Sequence, residues 1–254
     1  MTQHTHLHAF AGHLASRLAP LDLFERVALA AREVAGRIVF TTSFGIEDQA
    51  VAHAIFTQRL PVEVVSLDTG RLFPETYDVW VDTERRYDVR IRAFSPERQA
   101  VEALVENQGP NGFRHSVEAR QSCCFVRKVE PLARALEGAS GWVTGLRADQ
   151  SSARAQVAPA QFDTERALVK INPLFDWPRE RVADYVHANG IPRNVLHDRG
   201  FLSIGCAPCT RAIAAGEPER AGRWWWESES KKECGLHLQG LKAPAETDTP
   251  KAPS

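Results

Sequence analysis

The chain has 254 residues, of which 43% are hydrophobic and 25% charged, and its formal net charge is −1. This mixture is typical of a soluble globular protein and gives no support to a general nucleic-acid binder, which usually carries a basic excess. No run approaches the roughly 18 apolar residues that a membrane helix needs. Residues 1–20 lack a basic segment followed by an apolar stretch, so we expect no secretory signal and a cytoplasmic protein.

Helical and β-rich patterns alternate along the chain. The i, i+4 spacing of Phe10, Leu14 and Leu18 predicts an amphipathic first helix. Strands are then predicted at 38–42, 62–67, 89–94, 142–145 and 168–171, with helices at 47–59, 74–87 and 96–107. This alternation predicts an α/β fold with a mainly parallel sheet flanked by helices. We expect one domain over 1–242 and a disordered, Pro-rich tail over 243–254.

Polar or glycine-bearing loops follow three of the predicted strands. In open parallel sheets, ligands bind beyond the carboxyl ends of the strands, where helix N-termini offer backbone N–H groups to anions. One crevice formed by the three loops is therefore expected, although each loop alone could be a plain strand–helix turn. The loop residues are Ser43, Phe44, Gly45, Leu67, Asp68, Gly70 and Gly145.

Four arginines lie in or near predicted loops: Arg147, Arg154, Arg220 and Arg223. A guanidinium fork matches the geometry of phosphate and sulfate oxygens. Each arginine taken singly could be a solvated surface charge. Because they follow strand ends and lie beside cysteines, anion binding is as good an interpretation of the four arginines as solvated surface charge.

The five cysteines divide into two pairs and one single residue. Cys123 and Cys124 are adjacent, and Cys206 and Cys209 form a C-x-x-C about eighty residues later. Such pairs occur in zinc, thioredoxin-like redox and iron–sulfur sites. A redox pair would need no second pair, and structural zinc sites rarely use adjacent cysteines. Ligand spacing therefore favours an iron–sulfur cluster over zinc.

Two further residues are candidates for chemistry at this centre. Lys128 follows Cys124 by four residues, so on an α-helix it would share the same face and offset the charge of the thiolates. Cys234 follows Lys231 and Lys232 and precedes His237, a cationic setting that favours the nucleophilic thiolate. A surface lysine and a free surface cysteine are the alternatives.

Several motifs in this order resemble those of the assimilatory adenylyl-sulfate reductases. They are Thr-Ser-Phe-Gly-x-Glu-Asp-Gln, Leu-Asp-Thr-Gly-Arg-Leu-Phe-Pro-Glu-Thr-Tyr, Cys-Cys-x-x-Arg-Lys, Gly-Leu-Arg-x-Asp-Gln-Ser, Gly-Cys-Ala-Pro-Cys-Thr-Arg, Gly-Arg-Trp-Trp-Trp-Glu and Lys-Glu-Cys-Gly-Leu-His. The resemblance covers about residues 35–240 and implies an adenine-nucleotide α-hydrolase-like fold. It also implies reduction of adenylyl sulfate to sulfite and AMP by thioredoxin, in sulfate assimilation and cysteine biosynthesis.

The resemblance implies a role for each motif. A [4Fe–4S] cluster would be held by Cys123, Cys124, Cys206 and Cys209. Cys234 would be the nucleophile, on a mobile C-terminal segment at about 224–240. The substrate cations would be Lys128, Arg154, Arg220 and Arg223, and the nucleotide loops would be Ser43 to Gly45, Leu67 to Gly70 and Gly145.

Other functions remain open from the sequence. A phosphoadenylyl-sulfate reductase would perform the same chemistry, but the resemblance implies that those enzymes mostly lack the cluster cysteines. A zinc-stabilised RNA-binding or tRNA-modifying protein could also combine nucleotide loops with C-x-x-C pairs, although the near-neutral charge is against it. A redox sensor without turnover would need a resolving cysteine for Cys234. We expect a homo-oligomer without nucleic-acid or membrane partners.

Overall fold

A computed structural model describes residues 3–227 and shows six strands and eight α-helices within that range. The strands are β1 Arg37–Thr42, β2 Glu63–Leu67, β3 Arg92–Phe94, β4 Ala139–Val143, β5 Ala160–Asp163 and β6 Leu168–Ile171. The helices are α1 Gln3–Leu18, α2 Leu23–Glu33, α3 Ile46–Thr57, α4 Pro74–Tyr87, α5 Arg98–Gln108, α6 Val117–Cys124, α7 Glu130–Leu136 and α8 Arg179–Ala188. Cys234, most of the expected mobile segment and the expected tail lie outside the described residues.

The sheet has the strand order β3-β2-β1-β4-β6-β5. All neighbours pair in parallel except β5, which runs antiparallel to β6 at one edge. The predicted α/β fold with a mainly parallel sheet flanked by helices is therefore confirmed. Because β2, β1 and β4 are adjacent and parallel, the loops that follow them emerge at the same edge of the sheet.

Alternate residues of the central strands face two separate apolar cores. Ile38 and Phe40 of β1 belong to the larger core, which also takes buried residues from α1, α2, α3 and α8. Val39 points to the smaller core with Leu132 of α7 and Trp142 of β4. This division follows from the two-residue period of a strand, and it explains why β1 is an almost continuous apolar run.

Two predicted strands differ from the observed ones by more than one residue at an end. The third starts at Arg92 rather than at residue 89, because Glu84 at the end of α4 accepts from the Val89 N–H with its carbonyl and from the Ile91 N–H with its side chain. The fourth ends at Val143, so Gly145 lies in the following loop. No helix in the described part of the chain is both long enough and apolar enough to cross a membrane.

Helix α6 continues into α7 through a π-helical turn at Phe125–Val129. The sequence analysis assigned no helix to this segment and considered helical spacing only for Lys128 relative to Cys124. In a π-helix the hydrogen bonds run between residues five apart, and Lys128 lies within this turn, just after the Cys123–Cys124 pair. Short π-helical turns within α-helices frequently occur at functional sites.

Candidate active site

A cavity of about 170 Å³ opens at the carboxyl ends of β1, β2 and β4. Eight of the eleven predicted substrate-binding residues line it, which places the three predicted loops and the predicted cations around one space. These eight are Ser43, Gly45, Leu67, Lys128, Gly145, Arg154, Arg220 and Arg223. Their roles in binding substrate stay predictions.

The first loop is held by a carboxylate to which the sequence analysis assigned no role. Asp48, in the first turn of α3, accepts hydrogen bonds from the Ser43 N–H at 2.6 Å and from its hydroxyl at 2.7 Å. Burial raises the pKa of Asp48 to about 6, although the two hydrogen bonds from Ser43 oppose this shift. Gly145 leaves no room for a side chain, because a Cβ there would clash with the Asp48 carboxylate that Ser43 holds in place.

The other three predicted substrate residues lie outside the cavity lining. Phe44 has a positive φ of 59° and packs its buried ring against Trp80, with ring centroids 5.1 Å apart. Asp68 accepts hydrogen bonds from the Tyr77 hydroxyl at 2.8 Å and from the Gly70 N–H at 2.9 Å. These contacts fix the conformation of the loops from outside the cavity.

Arg147 does not line the cavity, and carboxylates surround its charge. Its side chain is 0% exposed and contacts Glu47 at 2.9 Å and Glu219 at 2.7 Å. Burial lowers the pKa of Arg147, but the two carboxylates outweigh that effect and the pKa is raised. Because Glu47 and Glu219 themselves line the cavity, Arg147 ties two parts of its wall together and is not placed to bind an anion.

The four paired cysteines line a second, smaller cavity. They share it with four cations, Arg71, Arg120, Arg127 and Lys128, and with Phe113 and Pro208. Cys123 and Cys124 come from the end of α6, whereas Cys206 and Cys209 come from a loop that a hydrogen bond from the Ala207 N–H to the Arg71 carbonyl anchors near β2. The fold therefore brings the two sequence pairs to one place.

The cations lower the pKa of one of these thiols. Burial raises the pKa of Cys206, but the Lys128 charge and the 3.3 Å hydrogen bond with Thr69 outweigh it, and the pKa is lowered overall. Burial and the neighbouring Cys206 raise the pKa of Cys209 to about 12, and burial raises that of Cys123.

Within residues 3–227, no three His, Cys, Asp or Glu side chains are grouped as they would need to be to hold a metal ion. Buried N–H donors nevertheless lie among the residues at and around the cysteine cavity. In that same range, the buried indole N–H groups of Trp224 and Trp226 and the Nε–H of Arg127 have no hydrogen-bond partner. Trp224 shares an apolar cluster with Cys206 and Cys209, and Trp226 packs against that cluster. A group with sulfur acceptors would suit these donors and the surrounding positive charge.

Lys128 alone, among the residues that the structure describes, lines both cavities. The sequence predicted a cation that serves both the cysteine site and an anionic ligand. The π-helical turn after Cys124 is the local structure that positions it.

Comparisons with known proteins bear on this arrangement. The phosphoadenosine phosphosulfate reductase domain family matches residues 37–212. An adenosine 5'-phosphosulfate reductase of Agrobacterium fabrum is 55% identical over 94% of this chain and 91% of its own length. A protein of the same name from Allochromatium vinosum is 51% identical over 79% of this chain and 78% of its own length.

A solved structure agrees in fold. The phosphate complex of phosphoadenylyl-sulfate reductase from Candida auris has a TM-score of 0.67 at 26% identity, covering 80% of this chain and 96% of that one. The NMN synthetase of Francisella tularensis, at 13% identity and a TM-score of 0.52, shares the fold alone. The motifs, the fold and these relatives agree, and the chain belongs to the phosphoadenosine phosphosulfate reductase domain family.

Proposed function

We propose that this protein reduces adenylyl sulfate to sulfite and AMP, with thioredoxin as reductant, in sulfate assimilation and cysteine biosynthesis. The observation that carries the proposal is the adjacency of a cation-lined cavity and a four-cysteine cavity, joined by Lys128. The curated relatives at 51–55% identity named above carry the name adenosine 5'-phosphosulfate reductase.

In the first step, the Cys234 thiolate attacks the sulfur of adenylyl sulfate. A bond forms between the two sulfur atoms, the bond from sulfur to the bridging oxygen breaks, and AMP leaves with that bond's electron pair. Negative charge develops on the AMP phosphate, so pre-arranged cations stabilise the transition state more than the ground state. Lys128, Arg154, Arg220 and Arg223 line the cavity where this charge would form.

In the second step, a thioredoxin thiolate attacks the Cys234 sulfur and releases sulfite. The second thioredoxin thiol then resolves the mixed disulfide and restores Cys234. The two electrons that reduce the sulfuryl group come from the two thioredoxin thiols. The balance therefore needs no further redox group.

We further propose that Cys123, Cys124, Cys206 and Cys209 hold a [4Fe–4S] cluster. Four thiols line one cavity, four cations surround it, and buried N–H groups beside it lack partners in the described part of the chain. Thiolates are the usual ligands of such clusters, and N–H donors to sulfur are a common feature of their surroundings. When bound, the cluster would supply a fixed charge beside Lys128.

The metal is the first test. Anaerobically purified protein should be brown and contain about four iron atoms per chain, the content of a cubane cluster. Iron and acid-labile sulfide analysis with an absorption spectrum would measure this. Cys209→Ser should lose most of the iron. Stoichiometric zinc without labile sulfide would contradict the cluster and favour a zinc-stabilised protein of another class.

Substrate choice tests the function. The four paired cysteines favour adenylyl sulfate as substrate, because the resemblance implies that phosphoadenylyl-sulfate reductases mostly lack them. We expect kcat/KM for adenylyl sulfate to exceed that for its 3'-phosphorylated form by at least about tenfold, equivalent to roughly 1.4 kcal/mol. Sulfite release with each nucleotide, with thioredoxin in excess, would measure the ratio. Equal rates would instead support the phosphoadenylyl-sulfate alternative.

The cellular setting is part of the same proposal. We place the reaction in the cytoplasm, where thioredoxin keeps thiols reduced. A homo-oligomer, with neither nucleic acid nor membrane as partner, remains our prediction. The formal charge of −1 agrees with the absence of a nucleic-acid partner.

A further inference from the structure

A buried ion pair connects the helix of the first cysteine pair to the last described residues of the chain. Arg120, on α6, donates two hydrogen bonds to the Glu227 carboxylate, each 2.9 Å long. The two side chains are only 1% and 4% exposed. A two-pronged contact between buried opposite charges fixes orientation as well as distance.

The same pair reaches the cysteine cavity. Arg120 lines that cavity with Cys124, and its guanidinium lies 4.8 Å above the ring of Trp224. Burial lowers the pKa of Arg120, but the Glu227 carboxylate and the Cys124 thiol outweigh that effect and the pKa is raised. The Arg120 side chain thus contacts the predicted cluster ligand Cys124, the Trp224 ring and the Glu227 carboxylate.

Residues 222–227, here called the C-terminal strap, are also held at their other end. The Trp224 N–H donates to the Cys209 carbonyl at 3.1 Å, and the Gly222 carbonyl accepts from the Arg211 N–H at 3.0 Å. Arg223 forms an antiparallel bridge with Thr210. The strap therefore crosses from the second cysteine pair to the helix of the first, and Glu227 is its last fixed point in the described chain.

Cys234 follows Glu227 by seven residues. Seven residues can span at most about 25 Å, so the place where Glu227 is fixed limits where the Cys234 thiol can act. We propose that the Arg120–Glu227 ion pair is a positioning element that holds the root of the Cys234 segment against the helix carrying Cys123 and Cys124. The inference rests on the proposed function, in which Cys234 attacks the nucleotide.

The test compares Glu227→Gln with a matched control in the anaerobic holoprotein. Gln keeps the size of the side chain but removes the charge that holds Arg120. The control, Asp176→Asn, weakens another two-pronged pair, in which Arg26 donates to Asp176 at 2.6 and 2.8 Å and neither residue lines a cavity described above. Three quantities are measured in each variant: iron content, affinity for AMP, and the single-turnover rate of Cys234 S-sulfonation by adenylyl sulfate.

We expect Glu227→Gln to keep its iron and its AMP affinity and to lose at least about tenfold in the S-sulfonation rate, as misplacement of a reacting group does. Glu227→Asp, which keeps the charge, should recover part of the rate. Asp176→Asn should react at the wild-type rate. A wild-type rate in Glu227→Gln, or a loss of iron that parallels the loss of rate, would overturn the positioning role.

Limited trypsin digestion tests the anchoring without depending on the proposed reaction with adenylyl sulfate. Cleavage after Arg223 requires the strap to open, because Arg223 is buried and bridged to Thr210. Cleavage there should be at least about tenfold faster in Glu227→Gln than in Asp176→Asn, since proteolysis tracks the population of the open form. Equal cleavage would overturn the anchoring. A wild-type protein that forms no adduct would contradict the proposed function, while the digestion still decides the anchoring.

Discussion

Replacement of Cys234 by serine should abolish sulfite production while leaving iron content and nucleotide binding unchanged. Cys234 is the one cysteine outside the two pairs that line the cysteine cavity. A serine hydroxyl has nearly the same size as the thiol but is a far weaker nucleophile at neutral pH, because it remains protonated. We expect turnover of Cys234→Ser to fall below detection, measured as sulfite release with excess thioredoxin.

The same assignment predicts a covalent intermediate. Wild-type enzyme mixed with adenylyl sulfate in the absence of thioredoxin should gain about 80 Da, the mass of one SO3 group, because the second step has no attacking thiol. Peptide mapping should place this mass on Cys234, and added thioredoxin should remove it with release of one sulfite.

The control for this prediction is one of the cavity cysteines. Cys209→Ser should lose iron, whereas Cys234→Ser should keep its colour and its affinity for adenylyl sulfate. An adduct on any other cysteine, or turnover by Cys234→Ser, would show that the two-step assignment is wrong. Loss of iron in Cys234→Ser would mean that Cys234 takes part in the metal centre.

Features of the fold with a local cause were predictable from the sequence. Helix α4 was predicted with its observed bounds, because Pro74 suits a first turn. Strand β1 was predicted as a short apolar run followed by a small-residue turn. The crevice followed from these elements, since parallel strands bring their following loops to one edge.

Features that depend on distant partners were not predictable. Strand β5 has the sequence Ala-Gln-Phe-Asp and pairs only with β6 at the sheet edge, so it lacks the apolar residues by which the equally short β6 was predicted. Arg147 looked like an anion-binding residue because the sequence shows no sign that Glu47 and Glu219 meet it. Arg120 and Glu227 are 107 residues apart, and only the fold reveals their contact.

The cysteine site was predictable from the sequence only in part. The division into four residues and one predicted a shared centre, and the structure places all four paired thiols on one cavity. The sequence also predicted that Lys128 could serve both the thiolates and an anionic ligand, and the structure places Lys128 on both cavities. The prediction for Lys128 assumed α-helical spacing from Cys124, whereas the structure positions Lys128 through a π-helical turn, which spacing alone could not reveal.

Lys128→Ala should lower kcat/KM for adenylyl sulfate by at least about thirtyfold, or about 2 kcal/mol, the usual loss when a group that meets developing charge is removed. Its iron content should equal that of the wild type, because lysine is not a cluster ligand. Lys128→Arg keeps the charge and should retain more activity than the alanine variant. Steady-state kinetics, single-turnover S-sulfonation of Cys234 and iron analysis measure these effects.

Arg71→Ala is the matched control, because Arg71 lines the cysteine cavity but not the larger one. If Lys128 acted only by offsetting the charge of the thiolates, removal of either cation would have a similar effect. We expect Arg71→Ala to lower kcat/KM by less than about threefold. If Lys128 also stabilises the charge that develops on AMP, Lys128→Ala must lower kcat/KM much more than that. Equal losses in the two variants would reduce Lys128 to one of several compensating charges. Unchanged kinetics in Lys128→Ala would remove it from the mechanism, and loss of iron would make it a support for the cysteine site.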